Sequence, residues 1–308
     1  MFTIADARRY ARQAFEHSPM LARNAHQSFM LDADVLLQHL LIKPRAWLLA
    51  HDDADITGLK PAFERMVAQR CTGLPIAYIT GIKEFFNLAF AVTPAVLIPK
   101  PDTELLVERS LALLREKRAA SDSSLCILDP CTGSGCVIIA ILAALLAENR
   151  VQKVMGVAVD IAPAALSVAK QNAARLLPPD IQEHCLFMEG DLRYLTDMQK
   201  QLPAACARFD LIAANPPYIP SAQAAALLAD GRNEPLLALD GGADGLDFIT
   251  ALADNAPLLL KKNGTLLTET DTGTAQAAAA LFKQRGFSSV CIHKDMAQMD
   301  RLIEGTMR

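Results

Sequence analysis

The spacing of hydrophobic and polar positions changes twice along the 308 residues of the chain. Over residues 1–72, apolar side chains recur every three or four positions, as at Ile4 and Ala7, which predicts a small bundle of amphipathic helices. Residues 73–100 hold prolines and a loosely alternating run, which predicts an extended linker with a hairpin. Over residues 101–308, short apolar runs alternate with helical patterns, and this order predicts an α/β domain around a mostly parallel sheet.

Four short apolar runs in the α/β domain predict buried strands that end at or just before a polar residue. They are Leu125 to Asp129, Val154 to Asp160, Cys185 to Met188 and Phe209 to Asn215. Because open α/β sheets bind ligands at the carboxyl ends of their strands, we expect these polar groups to lie close together. Two further runs, 288–293 and 301–304, predict a hairpin that closes the domain.

A glycine-containing turn, Pro130-Cys131-Thr132-Gly133-Ser134-Gly135, joins the first of these strands to an apolar helix that begins at Cys136. A strand, a glycine turn and a helix form the start of a nucleotide-binding unit, where glycines let backbone amides approach a ligand. Asp160 ends the next strand, about where an acidic residue accepts ribose hydroxyls, and Asp191 follows the third strand. Either aspartate alone is typical of a helix cap. Together with the glycine turn they favour a cofactor site.

The fourth strand stops at Asn215-Pro216-Pro217-Tyr218, because neither proline can donate to a sheet ladder. This stretch brings an amide, a carbonyl held by the prolines and an aromatic ring to the carboxyl edge of the sheet. The amide oxygen and the carbonyl are two acceptors, which suits them to holding a planar primary amine, and the ring can stack on its π-face. The alternative interpretation is an ordinary turn after a strand.

Composition narrows the class of protein. The net charge of −4 disfavours a partner bound mainly through phosphates, so we expect no direct nucleic-acid binding. No apolar run reaches the ~18 residues of a membrane span, and the N-terminus lacks the pattern of a signal peptide. The 7 cysteines are scattered without a Cys-x-x-Cys pair, and the 6 histidines show no ligand spacing. We therefore expect a cytoplasmic protein that has no disulfide framework and no bound metal.

Ahead of the sheet, two prolines flank Lys100 and predict an extended approach to a helix that runs to about Arg118. Asp102 or Thr103 is predicted to cap this helix. From composition alone, this stretch is a linker and a helix cap.

The order of glycine turn, Asp160, Asp191 and Asn-Pro-Pro-Tyr resembles that of class I S-adenosylmethionine-dependent methyltransferases. Among these, Asn-Pro-Pro-Tyr resembles the motif of enzymes that methylate planar amines, either adenine in DNA or the side-chain amide of glutamine. Four further stretches look like the release factor glutamine methyltransferases (HemK/PrmC-like). They are Gly73 to Gly81, Leu97 to Glu104, Leu239 to Gly245 and Lys294 to Arg301. The resemblance implies a Rossmann-like, mostly parallel seven-stranded sheet with a C-terminal antiparallel hairpin, preceded by a helical domain that docks a protein substrate.

The same resemblance implies a reaction and roles for individual residues. A methyl group would pass from S-adenosylmethionine to the glutamine amide in the Gly-Gly-Gln motif of peptide-chain release factors, a reaction linked to translation termination, leaving S-adenosylhomocysteine. Cys131, Thr132, Gly133, Ser134 and Gly135 would form the cofactor turn around the methionine part. Asp160 would take the ribose hydroxyls, and Asp191 and Leu192 would border the adenine. Asn215, Pro216, Pro217 and Tyr218 would hold the glutamine amide, with Asn215 also next to the cofactor.

Three departures from the family pattern leave alternatives open. Cys131 stands where the family usually has glycine, and the run from Cys131 to Cys136 looks more like the enzymes that methylate glutamine in a large-subunit ribosomal protein. Lys100 replaces the usual arginine, and Asp271 the usual glycine of Glu-x-Gly. A DNA adenine methyltransferase is the third candidate, which the acidic charge disfavours. An inactive methyltransferase-like scaffold is the fourth. A nicotinamide-dependent dehydrogenase is disfavoured because the turn lacks the three-glycine fingerprint.

Overall fold

The computed structural model describes residues 1–21, 28–120, 123–229, 231 and 233–308. Two compact units make up the chain. The first comprises Met1–Ile82 with Ala226–Asn233, and the second comprises Lys83–Ala225 with Glu234–Arg308.

The first unit is built mainly from helices around an apolar core. The helices are α1 (Ile4–Glu16), α2 (Phe29–Leu41), α3 (Arg45–Ala50), α4 (Lys60–Cys71) and α5 (Ile76–Thr80). A capping box starts α1, where the Thr3 hydroxyl accepts from the Asp6 N–H and the Asp6 carboxylate accepts from the Thr3 N–H. Phe15 and Phe63 are fully buried in the core between the helices.

The expected extended linker over 73–100 is partly wrong. Ile76–Thr80 is a helical turn because Pro75 leads into it with a carbonyl that accepts from the Tyr78 N–H at 3.0 Å. Gly81 ends the turn at φ +73°, a conformation that glycine adopts without steric cost. The hairpin follows, with strands β1 (Ile82–Phe85) and β2 (Leu88–Ala91).

The second unit contains the main sheet. Its strands are β3 (Leu125–Asp129), β4 (Val154–Asp160), β5 (Cys185–Glu189), β6 (Phe209–Ala214), β7 (Leu260–Glu269), β8 (Ser289–Lys294) and β9 (Asp300–Thr306). The other α-helices among the described residues are α6 (Glu104–Ala120), α7 (Cys136–Ala147), α8 (Pro163–Leu176), α9 (Pro179–Gln182), α10 (Ser221–Leu228), α11 (Asp247–Leu259) and α12 (Ala275–Gln284).

The seven strands lie in the order β5-β4-β3-β6-β7-β9-β8. Neighbouring strands from β5 to β7 pair parallel, whereas β9 runs antiparallel to both β7 and β8. The prediction of a mostly parallel seven-stranded sheet with a C-terminal antiparallel hairpin is therefore confirmed.

Helices cover both faces of the central strands of this sheet and bury them. Ile127 of β3 packs in the apolar layer formed with α6, α7 and α8, while its neighbours Cys126 and Leu128 face the opposite layer with α11 and α12. Helix α7 is apolar on nearly every side because it lies inside its layer. Within the described ranges, none of the helices has both the length and the apolar character needed to cross a membrane.

Candidate functional site

The site lies at the centre of the sheet, between the strands from which the chain builds outward in opposite directions. Strands β3 and β6 are neighbours at the centre of the sheet, and the connections after them leave in opposite directions. A crevice at such a position is the usual ligand site of an open α/β sheet. The second unit has a cleft here, with about 1000 Å³ of space when its solvent-open part is included.

The glycine turn after β3 is held in a tight loop by backbone hydrogen bonds. The Thr132 N–H donates to the Val159 carbonyl at 2.9 Å, and the Gly135 N–H donates to the Thr132 carbonyl at 2.7 Å. Gly133 and Gly135 have φ angles of +53° and +80°. A Cβ at Gly135 would lie 2.7 Å from Ile139 Cδ1, so glycine is required there for both conformation and space.

Several polar groups in and beside this turn are buried without full hydrogen bonding. Ser134 Oγ lines the cleft wall and has no hydrogen-bond partner among the described residues. Burial raises the pKa of Asp129 to about 7, opposed by a hydrogen bond from the Thr132 hydroxyl at 2.9 Å. Burial also raises the pKa of the Cys131 thiol, and the carboxylates of Asp160 and Asp129 add to this rise. Cys131 is therefore a neutral thiol and a poor nucleophile.

The two predicted cofactor aspartates occur at the ends of neighbouring strands. Asp160 Oδ2 accepts from the Gly133 N–H at 2.8 Å, and its Oδ1 accepts from the Ala162 N–H at 2.9 Å. An ionised carboxylate has about four acceptor sites, so further hydroxyls can still bind. Asp191 forms a bidentate ion pair with Arg193, and hydrogen bonds from Arg193 lower the pKa of its carboxyl.

Asn215 follows β6 directly and faces the cleft. Its Nδ2 donates to Thr103 Oγ1 at 3.0 Å across 112 residues of sequence. Thr103 is only 1% exposed, and the short 3₁₀ turn over Pro101–Thr103 has no side-chain cap. The prediction that Asp102 or Thr103 caps the helix that runs to about Arg118 stays a prediction, and the structure shows the Thr103 hydroxyl accepting from Asn215.

Tyr218 lies behind the cleft wall, where its hydroxyl donates to Glu269 Oε1 at 2.9 Å. Glu269 ends β7 and is 1% exposed. Burial raises the pKa of Glu269 to about 7, and the hydroxyls of Thr103 and Tyr218 oppose this rise by stabilising the carboxylate. The Oε2 atom of Glu269 has no close hydrogen-bond partner in the described part of the chain.

The glycine-rich stretch Leu239 to Gly245 packs against the backbone of the Asn-Pro-Pro-Tyr segment. The Ile219 N–H donates to the Leu239 carbonyl at 3.0 Å, and the Gly241 N–H donates to the Ile219 carbonyl at 2.8 Å. A Cβ at Gly245 would lie 2.3 Å from the Tyr218 carbonyl oxygen. The glycines therefore permit a close backbone approach that fixes the end of the motif.

Most of the predicted site residues line one cleft. These are Cys131, Thr132, Gly133, Ser134, Asp160, Asp191, Leu192, Asn215 and Pro217. Three others support its walls: Gly135 starts α7, Pro216 is buried, and Tyr218 contacts Glu269. The roles assigned to all these residues from the sequence remain predictions.

The structure adds cleft residues that the sequence did not single out as site residues. Lys100 and Thr103 line the cleft near the start of α6, and it is also lined by Leu237 from a 3₁₀ turn and Phe248 from the start of α11. Lys100 Nζ forms a 2.5 Å ion pair with the buried Glu234. The motif from Leu97 to Glu104 was visible in the sequence, but only the fold shows which of its side chains reach the cleft.

Three or more His, Cys, Asp or Glu side chains do not come together as a metal-binding group anywhere in the ranges that the structure describes. The expectation of a metal-free site stays a prediction.

The fold and the cleft define a class. The structure superposes on the hMettl16 catalytic domain with a TM-score of 0.53 and 14% sequence identity, covering 79% of this chain and 82% of that chain. An identity this low supports the fold alone. With the strand order and the cleft at the strand reversal, it defines a class I methyltransferase fold.

Sequence similarity then gives the family. Residues 6–81 match the model of the PrmC N-terminal domain. The release factor glutamine methyltransferase of Bordetella pertussis is 38% identical over 277 residues, which cover 89% of this chain and 94% of that protein. Proteins of the same name from Geobacter sulfurreducens and Vibrio cholerae are each 36% identical, and each alignment covers 92% of both chains. The chain belongs to the release factor glutamine methyltransferase family, and the prediction that it is a methyltransferase is confirmed.

Proposed function

We propose that this chain transfers a methyl group from S-adenosylmethionine to the glutamine side-chain amide in the Gly-Gly-Gln motif of peptide-chain release factors. The observation that carries the proposal is the orientation of Asn215. Its Nδ2 is engaged by Thr103, which leaves Oδ1 as the free end of the amide. A protein substrate that acts in translation termination places the reaction in the cytoplasm. Family membership supports this substrate class.

The cleft fits S-adenosylmethionine, which supplies an electrophilic methyl group on a sulfonium. Positive-φ glycines at 133 and 135 turn the backbone tightly beside β3, and the unpaired Ser134 hydroxyl offers a polar contact. Asp160 has acceptor sites left for ribose hydroxyls. Asp191 and Leu192 line the same cleft, and we expect the adenine beside them.

A glutamine amide nitrogen is a weak nucleophile because its lone pair is delocalised into the carbonyl. Asn215 Oδ1 and the Pro216 carbonyl are two acceptors for the two N–H groups of that amide. Binding both hydrogens draws the nitrogen toward tetrahedral geometry and holds it in line with the methyl donor. Positioning of this kind supplies up to roughly 7–11 kcal/mol in well-oriented cases. The proton leaves after transfer, so no general base has to act first.

The glutamine of a large-subunit ribosomal protein is the second candidate substrate, because the run from Cys131 to Cys136 resembles the enzymes that act there. The test is methyl transfer from labelled S-adenosylmethionine to four candidates in parallel. They are a release factor, the same factor with the Gln of Gly-Gly-Gln changed to Ala, a ribosomal-protein mixture and duplex DNA. Label on the unmodified factor alone supports the proposal. Label on a ribosomal protein or on DNA, with none on the factor, overturns it.

A further inference from the structure

Behind the cleft, four polar side chains from three parts of the sheet domain stand in a row. Asn215 Nδ2 donates to Thr103 Oγ1 at 3.0 Å. The Thr103 hydroxyl and the Tyr218 hydroxyl both stabilise the carboxylate of Glu269, the latter through a 2.9 Å hydrogen bond. Asn215 follows β6, Thr103 precedes α6, and Glu269 ends β7.

The direction of the hydrogen bond between Asn215 and Thr103 decides how the amide faces the substrate. A threonine hydroxyl can donate or accept, so Thr103 alone would permit both orientations of the asparagine amide. Above its pKa of about 7, Glu269 is mainly a carboxylate that only accepts, so it favours a Thr103 hydroxyl that donates to it and leaves Thr103 Oγ1 as an acceptor for Asn215. Asn215 must then present Nδ2 to Thr103 and Oδ1 to the other side.

The opposite orientation is incompatible with the proposed binding of the glutamine amide by Asn215 Oδ1 and the Pro216 carbonyl. If Asn215 were turned over, its two N–H groups would face the N–H groups of the glutamine amide. Donors would then oppose donors, and the Asn215 amide could not form a hydrogen bond with the glutamine amide.

We propose that Thr103 and Glu269 are positioning residues that hold the Asn215 side chain with Oδ1 toward the glutamine amide. This inference rests on the proposed function and extends it to two residues that do not themselves contact the reacting atoms. Glu269 is 1% exposed, and its Oε2 atom has no close partner among the described residues, so the carboxylate has acceptor capacity for Thr103.

The test compares two variants of Thr103 with a control in the helix that follows it, α6. T103V keeps the shape of the side chain but removes the hydroxyl, whereas T103S keeps the hydroxyl. S110A removes a buried hydroxyl of α6 that donates to the Leu106 carbonyl and does not line the cleft. We expect T103V to lower kcat about 10- to 100-fold, with the cofactor Kd changed less than about threefold. T103S should recover most of that loss, and S110A should keep wild-type kcat.

A double-variant cycle with E269Q tests whether the two residues act through one another. Glutamine offers Thr103 a donor as well as an acceptor, so E269Q should lower kcat in the same direction as T103V. Because both changes disrupt the same set of interacting side chains, their effects should not add. The combined variant should therefore be no more than about threefold slower than T103V. The proposal is overturned if the double variant loses kcat by the product of the two single-variant losses. It is also overturned if T103V has wild-type kcat.

A substrate-free measurement separates this inference from the proposed function. In deuterated, ¹⁵N-labelled protein, the Asn215 side-chain NH₂ signal is the one that disappears in N215A. Its exchange with water should be at least about tenfold faster in T103V than in wild type, and T103S should restore protection. Unchanged exchange overturns the positioning role even if the enzyme is active. Protected Asn215 in an enzyme that methylates no release factor would contradict the proposed function alone.

Discussion

Gly245→Ala tests whether the glycine-rich stretch from Leu239 to Gly245 fixes the backbone of the Asn-Pro-Pro-Tyr motif. Gly245 has φ +79°, and an added Cβ would lie 2.3 Å from the Tyr218 carbonyl oxygen. Real Cβ atoms essentially never approach another heavy atom closer than 3.0 Å, so the two must separate by about 0.7 Å (3.0 minus 2.3). The positive φ adds about 1–2 kcal/mol of backbone strain. Since a misplacement of about 1 Å can cost a factor of about 100 in rate, we expect kcat to fall roughly 10- to 100-fold.

Gly286→Ala is the matched control for this prediction. Gly286 has φ +87°, but a Cβ there would meet nothing within 4 Å. It should lose about 1–2 kcal/mol of unfolding free energy through the same backbone strain and keep wild-type kcat. The assays are urea unfolding and initial rates at saturating cofactor and substrate. Equal kcat in the two variants would refute the claim that Gly245 sets the position of the motif.

Three further predictions concern charge. Burial raises the pKa of Glu269 from 4.5 to about 7, so the folded state keeps a proton that the unfolded state loses in this range. The unfolding free energy of wild type relative to E269Q should therefore fall by about 3 kcal/mol as the pH rises from 4.5 to 8, and a flat difference in urea titrations would contradict this. Lys100→Met removes one ion-pair partner of the buried Glu234 and should cost about 1–3 kcal/mol of stability, less than a fully buried pair because the Lys100 side chain is 38% exposed. Urea unfolding within about 0.5 kcal/mol of wild type would count against that role. Asp160→Asn leaves one carbonyl acceptor for the Gly133 and Ala162 N–H groups and should raise the cofactor Kd at least about tenfold by calorimetry. An unchanged Kd would remove Asp160 from the cofactor site.

The sheet was predictable because its signals are local. The runs ending at Asp129 and Asp160 are apolar throughout and stop at a charge, and both strands end at those residues. The closing hairpin was also visible as two alternating runs near the end of the chain. The helix over Ile76–Thr80 was missed because its five residues give too little periodicity to distinguish a single turn from an extended segment.

The supporting contacts of the site depend on the fold and could not be read along the chain. Asn215 meets Thr103 across 112 residues, and Tyr218 meets Glu269 across 51. In sequence, Thr103 has the appearance of a helix cap, and Glu269 that of an ordinary strand end. The adjacency of β6 and β7 brings Tyr218 to Glu269, and Thr103 reaches Asn215 from the turn before α6.

The most direct test of the account is tandem mass spectrometry of a release factor after incubation with the enzyme and S-adenosylmethionine. Wild type should add the mass of one methyl group, located by fragmentation on the glutamine of Gly-Gly-Gln. N215A should add none while binding cofactor with near-normal affinity, because it removes the acceptor Oδ1. Methylation at another residue, or full methylation by N215A, would contradict the proposal that Asn215 binds the glutamine amide at the end of β6.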